Sequence, residues 1–159
     1  MPACTSTETA RRLTPGERAM ARRAFGDAVD LEPVTIRRAK YWWLHPAWVV
    51  MAPDGHIWFH PNNRSWCDDF SEASLFLQGL VVHELTHVWQ RQQGINLILR
   101  RCLWARYDYL PLTPARAFAD YGLEQQAEIV RDAYVKRMGG EVAGTPSLAV
   151  YDAVLPFAA

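Results

Sequence analysis

The sequence lacks any apolar run long enough to cross a membrane. Its uninterrupted apolar stretches reach only a few residues, whereas a transmembrane helix needs about 20. The N-terminal segment MPACTSTETARRL has no apolar core ahead of its arginines, so it does not match a Sec signal peptide. We therefore expect no membrane span and a cytoplasmic protein, with export by a non-Sec route as the alternative.

The chain also lacks net charge and paired cysteines. Seventeen basic residues balance 17 acidic ones, which argues against a nucleic-acid binder because such proteins gain affinity by neutralising phosphates. The three cysteines, Cys4, Cys67 and Cys102, are scattered and form no CxxC pair. We expect free thiols in a reducing compartment, with a bridge between Cys67 and Cys102 as the alternative.

What the sequence does contain is enough apolar surface for one folded domain. It has 159 residues, half of them apolar, and domains commonly span about 100–150 residues. Residues 1–12 are polar and predict a flexible N-terminal arm. Residues 13–140 carry the periodic segments and predict the folded domain. Residues 141–159 show no clear element and predict a C-terminal tail.

Local signals predict helices and a hairpin within that domain. Thr14, Pro15 and Glu17 have the spacing of a capping box with Pro at the first helical position, which predicts a helix start. Two β-rich runs flank Pro-Asp-Gly at 53–55, which is typical of a hairpin. The predicted elements are, in order, a helix over 15–25, a strand over 34–36, a hairpin over 47–60, a long buried helix from 75 to the glycine at 94, and a helix over 123–138.

The long helix carries the motif that points to chemistry. Residues 83–87 read His-Glu-Leu-Thr-His, so His83 and His87 lie one turn apart on one helical face and can reach the same metal ion. Neutral imidazole nitrogen is a preferred ligand of Zn²⁺. Glu84 follows the first histidine directly and can accept a proton from a metal-activated water. The motif predicts one bound zinc ion with Glu84 as general base.

A catalytic zinc usually has three protein ligands and one position left for water. Glu124 and Glu128 are four residues apart and share a face of the second predicted helix. One of them can bind the metal while the other orients a ligand histidine through its free ring nitrogen. Glu124 is the better candidate for the ligand, and the reverse assignment stays open on spacing alone.

These residues resemble the zincin metallopeptidases whose third ligand is a glutamate on a second helix. The resemblance implies an α+β fold, a minimal zincin-like domain with a small sheet or hairpin packed on the HExxH helix. It also implies that Glu124 binds zinc and that Glu128 hydrogen-bonds a ligand histidine. The strings HELTHVWQ, APDGHIWFHP and YGLEQQAEIV resemble more closely a small bacterial family called Vgr-related, associated with type VI secretion and Rhs systems. This closer resemblance covers roughly residues 13–140.

The function we expect is zinc-dependent hydrolysis of a peptide or protein substrate. Tyr121, Arg131 and Tyr134 are candidate donors to the oxyanion that forms in the transition state. The alternative is a non-catalytic module, stabilised by zinc, that serves as an adaptor or partner in a secretion or effector system. Its zinc site would be closed by a fourth protein ligand such as Glu128 or Asp120.

Seven tryptophans are many for a chain of this length. Within the predicted hairpin, Trp48 and Trp58 fit core or cross-strand packing. Trp42 and Trp43 are adjacent, so in a strand they would face opposite sides and one would be exposed. We expect core filling for most of them, with an aromatic surface for a protein or glycan partner as the alternative.

Overall fold

The computed structural model describes residues 9–97 and 106–157. Within these residues it combines a small sheet with four helices, which confirms the predicted α+β class. Two single 3₁₀ turns, Phe70–Glu72 and Phe118–Asp120, precede the second and third helices. The elements follow in the order β1 (Thr9–Arg12), α1 (Pro15–Phe25), β2 (Thr35–Arg38), β3 (Val50–Met51), β4 (Ile57–Phe59), α2 (Leu75–Gln92), α3 (Leu123–Arg137) and α4 (Leu148–Val154).

The four strands form one mixed sheet in the order β1-β2-β4-β3. Strands β3 and β4 are antiparallel, with Met51 opposite Trp58, which confirms the predicted hairpin. Strand β2 runs parallel to β4, and Ile36 lies opposite Ile57. Both isoleucines are fully buried, so this face of the sheet packs on the helices. Strand β3 lies at one edge of the sheet.

The start of α1 follows the predicted capping box. The hydroxyl of Thr14 accepts from the Glu17 amide at 3.1 Å, and the Glu17 carboxylate accepts from the Thr14 amide at 2.9 Å. This carboxylate also accepts from the Phe70 amide at 2.9 Å and pairs with Arg11 at 2.8 Å. Glu17 is fully buried, so a single side chain joins β1, α1 and the first 3₁₀ turn.

Helix α2 is the predicted central helix. Val81, Val82, Leu85 and Val88 are all fully buried, so α2 is covered on more than one side. It packs closely on α3 because Gly79 has no side chain. A Cβ atom there would lie 3.2 Å from Cγ2 of Val135. The packing brings the second half of α2, which carries His83 and His87, next to the first turns of α3, which carry Glu124 and Glu128.

Several segments differ from the sequence-based predictions. Residues 9–12, predicted as part of a flexible arm, form β1 and pair with β2. The predicted tail contains α4, and its Tyr151 is fully buried. Both segments carry too few alternating or periodic apolar residues to predict an element, and tertiary contacts order them instead. The Cys67 thiol is free, whereas Cys4, Cys102 and the bridge alternative lie outside the described residues.

The tryptophans divide between packed and exposed positions. Trp58, Trp66 and Trp89 are partly buried, and Arg37 stacks over the Trp58 ring at 4.7 Å. The prediction that Trp48 packs within the hairpin is wrong, because Trp48 precedes β3 in a loop and is largely exposed. Trp104 lies outside the described residues. Within the described ranges, no helix has the length and apolar character to cross a bilayer.

Candidate metal centre

Helix α2 places His83 and His87 side by side. The helix begins after Ser74, whose hydroxyl accepts from the Leu77 amide at 3.4 Å. It continues without interruption through the motif, so the two histidines lie one turn apart. Their ring centroids are 5.0 Å apart, and both side chains are buried. Buried imidazoles need hydrogen-bond or metal partners, and the facing helix supplies the first of these.

Helix α3 brings Glu124 to both histidines. Its Oε2 lies 3.2 Å from Nε2 of His83 and 3.2 Å from Nε2 of His87. One ligand atom from each of the three residues lies within 4.8 Å of the other two. Two histidine nitrogens and one carboxylate oxygen are a donor set that suits zinc. The structure therefore brings together a buried triad that can hold a metal ion.

The remaining ring nitrogen of His83 faces a second carboxylate. Its Nδ1 lies 2.8 Å from Oε1 of Glu128, and the other oxygen of Glu128 accepts from Arg131 at 2.7 Å. Burial acts to lower the pKa of His83, but its bonds to Glu124 and Glu128 outweigh burial and raise the pKa to about 9. Burial acts to raise the pKa of Glu128, and His83 and Arg131 hold it below its usual value. Glu128 thus stays ionised and orients His83.

The remaining ring nitrogen of His87 faces an amide. Nδ1 of His87 lies 2.8 Å from Oε1 of Gln90. The other end of that amide, Nε2, donates to the carbonyl of Leu123 at 2.9 Å and to Oε1 of Gln126 at 2.9 Å. The Leu123 carbonyl can only accept, so it fixes which end of Gln90 faces the ring. Nδ1 of His87 therefore carries the proton.

These bonds explain why the triad fits a cation. With a proton on Nδ1, the Nε2 atom of His87 presents a lone pair to Oε2 of Glu124. Nε2 of His83 faces the same oxygen and presents a second lone pair whenever His83 is neutral. Acceptor atoms turned toward one another in a buried site are unfavourable unless a proton or a metal ion lies between them.

A cleft of about 280 Å³ opens beside the triad. Glu84, which directly follows His83 in α2, is buried and lines this cleft, and the Glu128–Arg131 pair lines it as well. The cleft also borders edge strand β3 through Val50. The remaining lining is aromatic or aliphatic and consists of Trp48, Val49, Phe76, Leu80 and Tyr107. The triad therefore adjoins, through His83, a mostly apolar cleft that is lined by two carboxylates, Glu84 and Glu128.

The three predicted oxyanion donors lie in different surroundings. Arg131 borders the cleft while it is bonded to Glu128. Tyr121 lines a separate cavity on the Glu124 side, and its buried hydroxyl has no hydrogen-bond partner within residues 9–97 and 106–157. Tyr134 is fully buried and its hydroxyl donates to Gln78 at 2.7 Å. Tyr134 thus faces the interface of α2 and α3 rather than the cleft.

Sequence reasoning missed two residues of the site. Tyr107 stacks near His83, with ring centroids 6.5 Å apart, and lines the cleft. It lies in a segment without a periodic pattern, so no sequence signal could place it there. Oε1 of Gln126 accepts from Nε2 of Gln90, and Nε2 of Gln126 donates to the Tyr121 carbonyl at 3.0 Å. It lies two residues from Glu124, outside the i, i+4 spacing used to find Glu128.

Comparisons with known proteins show the family of the chain. No protein-family model matches the chain. A curated relative, the type VI secretion system spike protein VgrG2b of Pseudomonas aeruginosa, is 39% identical in an alignment of 138 residues that covers 82% of this chain. The chain spans only 13% of that relative's length. The solved structure of the effector domain of Pseudomonas aeruginosa VgrG2b aligns with a TM-score of 0.74 and 36% identity, over 91% of this chain and 80% of that one. The chain belongs to the family of the VgrG2b effector domain.

Proposed function

We propose that the protein is a zinc-dependent peptidase of zincin type. His83, His87 and Glu124 would hold one zinc ion, and Glu84 would act as general base. The observation that carries this proposal is the position of Glu84, which is buried in the wall of the cleft immediately beside the triad. A purely structural metal site has no need for a carboxylate at that place.

The residues around the triad define the steps that the chain itself performs. Zinc bound there would lower the pKa of a water molecule and polarise a carbonyl group. The Glu84 carboxylate accepts the proton from the attacking water and returns it to the amine of the departing chain. Glu128 and Gln90 hold the two histidine rings through Nδ1. Each Nε2 therefore stays directed at the metal position.

The substrate would be an extended segment of a peptide or protein. Strand β3 is an edge strand that borders the cleft, and extended peptides add to such edges through main-chain hydrogen bonds. Arg131 and Tyr107 line the same cleft, so they are the candidate donors to the oxyanion. Tyr121 is a third candidate from the Glu124 side. Tyr134 is no longer a candidate because its hydroxyl is bonded to Gln78.

The surroundings of the triad favour an open site over a closed one. Glu128, one of the two candidates for a fourth ligand, already contacts His83 and Arg131 with its two oxygens. Asp120, the other candidate, is exposed in a 3₁₀ turn. Because Glu128 is bonded elsewhere and Asp120 is exposed, neither would fill the fourth coordination position of the zinc. That position would remain for water, as catalytic zinc requires.

The relatives support a role in secretion. One is named a type VI secretion system spike protein and the other an effector domain. We infer that this chain is delivered by, or acts together with, a type VI secretion apparatus, which is a route independent of Sec. The second candidate function, a zinc-stabilised module without catalysis, would have the same partner. The peptidase and the non-catalytic module therefore differ in the role of Glu84 and share the same secretion partner.

One experiment separates these functions. Wild type, Glu84→Gln and the exposed control Glu141→Gln are assayed for bound zinc and for cleavage of fluorescently labelled casein. The peptidase proposal expects one zinc per chain in all three proteins and a loss of cleavage of about 100-fold or more in Glu84→Gln alone. Zinc without cleavage in folded wild type would support the structural module. No zinc in folded wild type would refute both.

A further inference from the structure

The loop Tyr41–Val49, here called the Trp loop, exposes an unusual amount of apolar surface. Trp43, Leu44 and Trp48 are 80%, 60% and 83% exposed. They are three of the four most exposed large apolar side chains in the described part of the chain. Trp43 and Leu44 project into solvent, whereas Trp48 also borders the cleft. Scattered exposed apolar residues are ordinary, but a cluster within six positions marks an interaction surface.

The Trp loop is held in shape by a buried histidine. Nδ1 of His45 accepts from the Tyr41 amide at 3.1 Å, and its Nε2 lies 2.9 Å from the carbonyl of Val49. His45 is almost completely buried, and the Trp42 ring stacks on it with a centroid distance of 5.8 Å. Because His45 joins both ends of the loop and fills its interior, Trp43, Leu44 and Trp48 remain at the surface.

The chain segment that contains the Trp loop carries positive charge only. Residues 33–53 contain Arg37, Arg38 and Lys40 and no aspartate or glutamate, although the whole chain is neutral. Lys40 is exposed and directly precedes the loop. Tryptophans beside cations are the combination that peripheral proteins use at the surface of an anionic bilayer, where the rings enter the headgroup region and the cations contact lipid phosphates.

We propose that the Trp loop docks the protein on anionic lipid membranes as a peripheral, non-spanning contact. Trp43 and Leu44 enter the interfacial region and Lys40 remains at the level of the lipid phosphates. Trp48 belongs both to the loop and to the lining of the cleft. Docking therefore places the mouth of the cleft next to the bilayer, where a substrate segment at the membrane surface can reach it. The binding itself requires no catalysis and is independent of the proposed peptidase function.

Vesicle flotation tests this proposal with matched variants. The full chain is mixed with vesicles of phosphatidylcholine alone or of equal parts phosphatidylcholine and phosphatidylglycerol. Leu44→Ser is compared with Leu110→Ser, which removes another exposed leucine outside the loop. Lys40→Glu is compared with Lys136→Glu, the same charge change on helix α3. Circular dichroism and thermal melting establish that all variants are folded.

We expect wild type to float with the vesicles that contain phosphatidylglycerol and to bind neutral vesicles far more weakly. Leu44→Ser and Lys40→Glu should each reduce binding about fivefold or more, and Trp43→Ser combined with Leu44→Ser should abolish it. The two controls should bind like wild type. Failure of folded wild type to float, or equal losses in the Leu44 and Leu110 variants, would overturn the proposal. Concentration-dependent dimers that Trp43→Ser dissociates, without lipid binding, would instead assign the loop to contact between copies.

Discussion

Oε1 of Gln90 lies 2.8 Å from Nδ1 of His87 and sets the tautomer of that ring. Nε2 of the same side chain donates to the carbonyl of Leu123 in the first turn of α3, next to Glu124. Gln90 is fully buried. One amide therefore both orients His87 and ties the helix that carries the two histidines of the triad to the helix that carries Glu124.

Replacing Gln90 tests this double role. We expect Gln90→Ala to weaken zinc binding about 10- to 100-fold, because an outer partner of a ligand histidine is lost. It should also lower the free energy of unfolding by about 1–3 kcal/mol, because buried groups lose their partner. Competition with a chromophoric chelator and urea unfolding measure the two effects. Gln93→Ala, at an exposed position just after α2, is the control. Equal zinc affinities in both variants would reduce Gln90 to a packing residue.

The contact of α2 with α3 depends on Gly79. A Cβ atom there would lie 3.2 Å from Val135 and 3.3 Å from Cγ of Arg131. We expect Gly79→Ala to be nearly neutral, because the gain in helix propensity of about 1 kcal/mol offsets this crowding. Gly79→Leu should cost about 1–3 kcal/mol through overpacking and should displace Arg131 from Glu128. Thermal unfolding of both variants checks the ranking. A leucine variant as stable as the alanine variant would show that the helices separate without cost.

The sequence predicts those parts of the site that a single helix determines. The spacing of His83 and His87 fixes their common face whatever surrounds them, and the capping box of Thr14 and Glu17 fixes the start of α1. The hairpin and the long helix each have strong local signals, and the resemblance to a known family implied the α+β class that combines them. The position of Glu124 depends on how a second helix packs against the first. The spacing favoured Glu124 without excluding Glu128, and the resemblance to a known family implied that Glu124 is the ligand.

The remaining parts depend on contacts between distant segments. Strand β1 has no alternating pattern, and it forms because its backbone pairs with β2 and Arg11 pairs with Glu17. Tyr107 reaches the cleft from a segment without periodicity. Trp48 was expected to pack because it lies within the predicted hairpin. It is exposed instead, because His45 bonds to Tyr41 and Val49 and holds this segment as a loop. Long-range pairing and loop closure leave no periodic trace in the sequence.

Glu17 provides a prediction about the fold that is separate from the metal centre. Its carboxylate is fully buried and holds Arg11, the Thr14 amide and the Phe70 amide. Glu17→Ala should lower the free energy of unfolding by about 3 kcal/mol, the low end for a broken buried pair because Arg11 keeps some access to water. Urea unfolding measures this loss.

Zinc affinity should be unchanged in folded Glu17→Ala, since none of these partners contacts the triad. Glu32→Ala is the matched control, because Glu32 pairs with Arg12 and Arg18 in an exposed position where ion pairs contribute little. If both alanine variants unfold at the same urea concentration, Glu17 does not join the segments as proposed.

Replacing Glu124 and replacing Glu128 should affect zinc binding differently. Glu124 faces Nε2 of both histidines, so Glu124→Ala removes a metal ligand and should abolish tight zinc binding. Glu128 faces Nδ1 of His83, so Glu128→Ala leaves the triad intact and should weaken zinc binding about 10- to 100-fold.

Glu128→Gln separates orientation from charge. Its amide oxygen can still accept from Nδ1 of His83, so we expect zinc affinity between those of wild type and Glu128→Ala. Calorimetric titration of the metal-free proteins gives the ranking, with Glu141→Ala as an exposed control. If Glu128→Ala abolishes zinc binding while Glu124→Ala retains it, the roles of the two residues are reversed. In that case the metal lies on the Nδ1 side of His83, and Gln90 cannot be the group that orients His87 toward it.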